Sequence, residues 1–155
     1  LIMVEFDQLK SGDDLREVIK TAFDTDLAVS GVWGYTQEMA TVIESTEAPL
    51  VQMEHMLASM RSYIEMNMTL PPQERYGSIN LNETQREQIK EDEKVYDKVT
   101  YEITAMKEDL YTAFINEYKE GLGKEDFDIT AHFDQRKEAT ITRNEVYWFE
   151  VHQTL

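Results

Sequence analysis

The sequence contains no cysteine. A disulfide framework, a thiolate metal site and a cysteine nucleophile are therefore excluded. Basic residues are scarce: 15 lysines and arginines stand against 31 aspartates and glutamates, a formal charge of −16 at pH 7. A surface of that sign repels phosphates, so no direct nucleic-acid binding is expected, because that needs basic residues to displace counterions. The same field works against adhesion to anionic membranes. No apolar run approaches the ~20 residues that span a bilayer. The opening Leu-Ile-Met-Val is too short for the core of a secretion signal and has no basic segment before it. These absences together point to a cytoplasmic location. With only three prolines, six glycines and no low-complexity tract, nothing divides the chain, and residues 1–155 read as a single α+β domain.

What is present suffices for a core. Apolar residues make up 41% and aromatics 10%, more than a disordered acidic tail would carry. A chain of this length buries roughly two-thirds of its unfolded surface, so it needs neither disulfides nor a structural metal. The acidity is uneven. Residues 1–48 carry ten acidic and three basic side chains, and residues 49–82 only three and two. The first third therefore reads as the most electronegative surface, and the methionine-rich middle as the most buried part.

Hydrophobic spacing outlines the elements. Leu15, Val18, Ile19, Ala22 and Phe23 form one stripe of a helix at about 13–24, with Ser11 as its cap and Asp14 completing a capping-box-like arrangement. Leu27–Tyr35 and Met39–Ile43 read as a hairpin turning near Thr36-Gln37, with Gly31 and Gly34 marking a bulge or a close backbone approach. A helix is expected over 47–68, capped by Thr46, with Leu50, Met53, Leu57, Met60, Ile64 and Met68 on its buried side.

Asn82 then opens a long helical pattern through Ile89, Tyr96, Val99, Ile103, Met106, Leu110, Phe114 and Tyr118. A helix from 83 to 120 would measure ~57 Å at ~1.5 Å per residue. A domain of this size is only ~39 Å across, so the helix must kink, break or protrude. The β-branched stretch 95–104 is the place for that break, or for a strand instead. The alternation of Phe127, Ile129, Ala131 and Phe133 with polar neighbours reads as a half-buried strand. A further pair follows at 138–142 and 146–152, turning at Arg143-Asn144. The last strand carries bulk on both faces, which makes it a central strand or one covered by another element. The expected fold is α+β: an antiparallel sheet of about five strands packed on helices, one of them the long helix near 83–120.

Three groups of residues carry functional expectations. Trp33 and Tyr35, in the run Gly31-Val32-Trp33-Gly34-Tyr35, and Trp148 on the last strand are candidate binding anchors, since Trp and Tyr supply rigid contact area at interfaces. His132 and Asp134 share one strand face by period 2, as do Glu150 and His152. Neighbouring strands would converge these four into a metal site for zinc, iron or manganese, or into an acid–base pair. Met53, Met56, Met60, Met66 and Met68 read as core packing, with adaptable apolar binding as the alternative. No phosphate-binding glycine loop and no serine-nucleophile motif occurs.

The leading expectation is a non-enzymatic acidic cytosolic protein-interaction module of the small chaperone, immunity or regulatory type, with no cofactor. Its partner is another protein of basic character, with homodimerisation as a companion expectation. The alternative is a small-molecule-binding protein or metal-dependent enzyme, with a pocket between sheet and helices and a His/carboxylate cluster on the C-terminal sheet.

Overall fold

The computed structural model describes residues 4–10 and 12–155. Along the chain lie α1 (Leu15–Phe23), β1 (Val29–Gly31), β2 (Thr41–Ile43) and α2 (Leu50–Tyr63), which runs on into a π-helical turn at Ile64–Met68. Then follow β3 (Tyr76–Glu91), β4 (Lys94–Lys107), α3 (Glu108–Gly121), α4 (Ile129–Ala139) and β5 (Ile141–Glu150). The fold is α+β. Its five strands form one sheet in the order β1-β2-β5-β4-β3. The sheet is mixed rather than antiparallel throughout, because β2 and β5 run parallel, with Thr41 opposite Phe149.

α1 follows its stripe: Leu15 and Ile19 are buried, with Val18 and Phe23 packed beside them. Its cap is Asp14, whose carboxylate accepts from the Arg16 amide at 3.0 Å. Ser11, the expected cap, lies outside the described residues. The first hairpin forms as expected, with Val29 opposite Ile43 and a turn in which the Met39 amide donates to the Thr36 carbonyl at 3.1 Å. Both glycines mark close backbone approach. A Cβ at Gly31 would lie 2.5 Å from the Ala40 carbonyl oxygen, and one at Gly34 2.7 Å from that of Trp148. Gly34 bridges to the central strand, its carbonyl accepting from the Trp148 amide at 2.8 Å.

α2 departs from its expected start. Pro49 occupies the cap position with no side-chain bond, and the Thr46 hydroxyl donates instead to the Ala48 carbonyl at 3.0 Å.

The largest correction concerns 83–120. There is no long helix. β3 and β4 form a long antiparallel hairpin, turning at Asp92 with φ 56°, and helix resumes only at Glu108. Asn82, expected to cap the helix, pairs with Glu102 inside the hairpin. The apolar steps of three, four and seven had masked a period of two: Val99, Tyr101, Ile103 and Ala105 all face the core. Most of that stretch is β-branched or aromatic, which a pleated surface accommodates better than a helix.

Two further strand expectations are overturned. Residues 127–133 are not a strand: Asp128 caps α4 by accepting from the Ala131 amide at 3.0 Å. Ile129, His132, Phe133 and Arg136 then fall on one helical face. The expected strand pair at 138–142 and 146–152 is a single strand, β5. It passes straight through Arg143 and Asn144, which pair with Ile103 and Glu102. Of the two placements that bulk on both faces allowed, it takes the central one.

One sheet face carries Tyr147 and Phe149 of β5 with Val99, Tyr101 and Ile103 of β4. Together with Met53, Leu57 and Ala58 of α2 and Leu15 and Ile19 of α1 they make the core. The other face holds Trp148, Lys98 and Thr100 by alternation.

Candidate functional site

α2 buries charge as well as apolar surface. At four-residue steps Met53, Leu57, Arg61 and Glu65 all turn inward, as do Glu54, Ala58 and Ser62. Arg61 is wholly inaccessible, and its guanidinium sits between the rings of Tyr35 at 4.1 Å and Tyr147 at 3.5 Å. It donates to the Trp33 carbonyl at 3.1 Å and the Val146 carbonyl at 3.3 Å. Glu65 stands one turn on, in the π-helical stretch, a distortion frequent at functional sites. Its carboxylate accepts from the Tyr35 hydroxyl at 2.6 Å and from Arg143 at 3.2 Å, with Arg61 Nε at 3.7 Å. Arg143 also pairs with Glu145 at 3.0 Å. Two cations and two anions thus balance at the inner face of the sheet, as burial requires.

Burial, and then the bond to Glu65, push the Tyr35 phenol well above its ordinary value, so it stays a protonated donor. Tyr147 rises through burial as well. Burial opposes the charge on Arg143, but Glu65 and Glu145 outweigh it and hold the guanidinium more firmly protonated.

The N-terminal segment lies across this network. The Leu9 amide donates to Tyr35 Oη at 2.8 Å, and Phe6 packs edge-on to Tyr76 with Arg143 4.7 Å from its ring centre. Between this segment, α1, residues 31–33 and the π-helical turn is a cavity of about 430 Å³. Leu9, Leu15, Val18, Val32, Trp33, Ile64 and Leu70 wall it; Glu65 is its buried polar residue, and Asp7, Gln8, Lys10, Asp13 and Thr69 are exposed ones. Trp33, buried in the main core, is one wall of the cavity; Tyr35 does not line it but bonds to Leu9 and Glu65, which do. Trp148 does not line it either. It stands half-buried on the opposite sheet face, against Tyr96 and beneath Lys98.

The four proposed metal ligands are not brought together. His132 and Asp134 are on α4, and His132 is buried among Phe114, Tyr118, Phe127 and Phe133, its Nδ1 3.1 Å from Glu117. Glu150 ends β5, paired with Lys94 at 3.3 Å, and His152 follows on a short 3-10 turn 3.8 Å from it. Among the described residues no group of three or more His, Cys, Asp or Glu side chains is placed to hold a metal ion. Nor is any described helix long and apolar enough to cross a membrane.

Arg61, Glu65, Arg143 and Tyr147 escaped the sequence reading. One signal was present: opposite charges at i, i+4 fell inside the apolar stripe of α2, flanked by Met60 and Ile64. A second buried cluster ties α2 to the long hairpin. Arg86 Nη1 donates to Glu54 at 2.8 Å and to Asp97 at 3.3 Å, while the same guanidinium clasps Glu83. Burial, and then the neighbouring Asp97 carboxylate, push Glu54 up to about 8.

Compared with known proteins, the chain matches no family model, no curated protein and no solved structure.

Proposed function

We propose that the protein is a non-enzymatic binding module whose ligand, a small and largely apolar molecule ending in a cation, enters the cavity beside Trp33. The cavity itself carries this reading. Its volume of about 430 Å³ falls in the range of about 300–1,000 Å³ typical of small-molecule sites, and apolar walls with a few polar groups are the usual composition. Asp7 and Asp13 against Lys10 leave its outer edge acidic, as is the chain as a whole, which favours a cationic end group. The non-catalytic reading is supported by the back wall: both Glu65 oxygens and the Tyr35 hydroxyl are already engaged. Among the described residues no nucleophile stands at that wall beside a free base.

Phenylbutylamine tests the proposal, with phenylbutyrate as the oppositely charged control. In a Trp148→Phe background, Trp33 is the sole indole. The amine is expected to change its fluorescence and raise Tm, and the acid is not. Val18→Trp, which fills the cavity but adds a second indole, is read by Tm alone and should abolish the rise. Equal response to amine and acid, or a response that survives Val18→Trp, would count against the site. The protein-interaction reading, with a basic protein partner, rests on a different part of the molecule.

A further inference from the structure

We infer that the α3–α4 hairpin is a docking surface for a basic amphipathic helix of another protein. The inference does not depend on the cavity. Leu110, Phe114, Tyr118 and Leu122 follow one another at four-residue steps along α3 and its end, and Ile129 and Phe133 repeat the step on α4. Leu110, Leu122, Ile129 and Phe133 are 44%, 58%, 45% and 46% exposed. Single exposed apolar residues are ordinary on protein surfaces. Here four large ones lie on one supersecondary unit, backed by the half-buried rings of Phe114, Tyr118 and Phe127. None of its residues belongs to the main core.

The hairpin is also incompletely packed on its own. Its one fully buried side chain is His132, and Nε2 of that ring has no hydrogen-bond partner. A helix laid along the seam would cover Leu122, Ile129 and Phe133 in the way amphipathic helices fill apolar grooves. Charge selects the occupant. Residues 108–139 carry nine acidic and four basic side chains, with Glu117, Glu125, Asp126 and Asp134 close along the sequence to the exposed apolar positions. A second copy would bring another −16 against this surface, so self-repulsion opposes a dimer formed there. A helix with lysines or arginines beside its apolar strip meets both requirements.

The test uses the full chain and a synthetic helical peptide of about 18 leucine and lysine residues in amphipathic order. Two control peptides accompany it: an isomer with the leucines dispersed around the helix, and a leucine–glutamate version. Calorimetry gives affinity, and amide NMR shifts give the location. The expected result is binding of the first peptide with shifts concentrated in 108–139, at least about tenfold weaker binding of the isomer, and none of the glutamate peptide. Leu122→Ser with Ile129→Ser should weaken it by a similar factor at unchanged far-UV circular dichroism. If that variant unfolds, Glu125→Lys with Asp134→Lys serves instead, with an expected loss of about fivefold. Absence of binding, equal binding of the isomer, or shifts centred elsewhere would overturn the inference. So would dimerisation through this face, seen by sedimentation and lost in the serine variant. Unchanged binding in Val18→Trp separates this outcome from failure of the cavity proposal.

Discussion

The two parts of this molecule distribute charge and apolar surface in opposite ways. Under the sheet, α2 and its π-helical turn bury Arg61, Glu65 and Glu54 together with Met53 and Leu57, and these polar groups are paired across α2, β3, β4 and β5. In the α3–α4 hairpin nearly every charge is in water, while Leu122, Ile129 and Phe133 are exposed. Paired interior charges add directionality to a core that apolar contacts alone would specify less sharply, and truncating one partner leaves the other uncompensated. A helical hairpin packed around one histidine has little to lose locally and much apolar area to offer a partner. The body is therefore expected to carry most of the stability, and the hairpin to sit at the low end of the local-unfolding range.

Arg61→Ala sets the upper limit of the contrast. It removes the donor to the Trp33 and Val146 carbonyls, takes a cation from beside Glu65, which keeps Tyr35 and Arg143, and empties the space between Tyr35 and Tyr147, so a loss of about 3–5 kcal/mol is expected, read from the urea midpoint. A loss below about 1 kcal/mol would mean that the network is solvated. Gly34→Ala comes next. Its φ of 86° and the 2.7 Å approach to the Trp148 carbonyl predict a cost of roughly 2–4 kcal/mol, visible as a lower Tm.

Glu54 gives a pH-dependent test. Its folded value of about 8 lies above the ordinary 4.5, so between those limits the native state holds more protons than the unfolded state. Its contribution is complete below about pH 4.5 and is lost as pH rises through about 8. Wild type should lose roughly 3 kcal/mol relative to Glu54→Gln between pH 5 and pH 8, measured by urea unfolding at both. The opposite slope would show that Arg86 keeps Glu54 ionised. The smallest effect is expected on the other side of the comparison: Leu122→Ser should change stability by less than about 0.5 kcal/mol.

Legibility of the fold followed how local each signal was. α1 and the first hairpin were readable because their stripe, acidic cap region and turn lie within a few residues of one another. The long hairpin was not. β3 is an edge strand, rich in charge along its length; such charge protects a sheet edge, and in sequence it looks like the solvated side of a helix. α4 was mistaken for a strand because Phe127, Ile129, Ala131 and Phe133 alternate, although Asp128 supplies a helix cap. At the site, Trp33 and Tyr35 stood out as aromatics beside glycines; Trp33 is a buried wall of the cavity, and Tyr35 bonds to Glu65. Trp148 was equally conspicuous but lies on the opposite face, since neighbours along a strand point opposite ways.

Acidity, the absence of thiol chemistry, the α+β composition and the local elements whose caps and periodicity agree all follow from the residues alone. Three-dimensional packing alone settles that β5 pairs in parallel with β2, that Arg143 reaches Glu65 across 78 residues of chain, and that His132 enters an aromatic cluster beside Glu117. The physical reason is common to all three. Strand partners and buried ion pairs are selected by which groups satisfy one another once water is removed, and sequence separation carries no record of that choice.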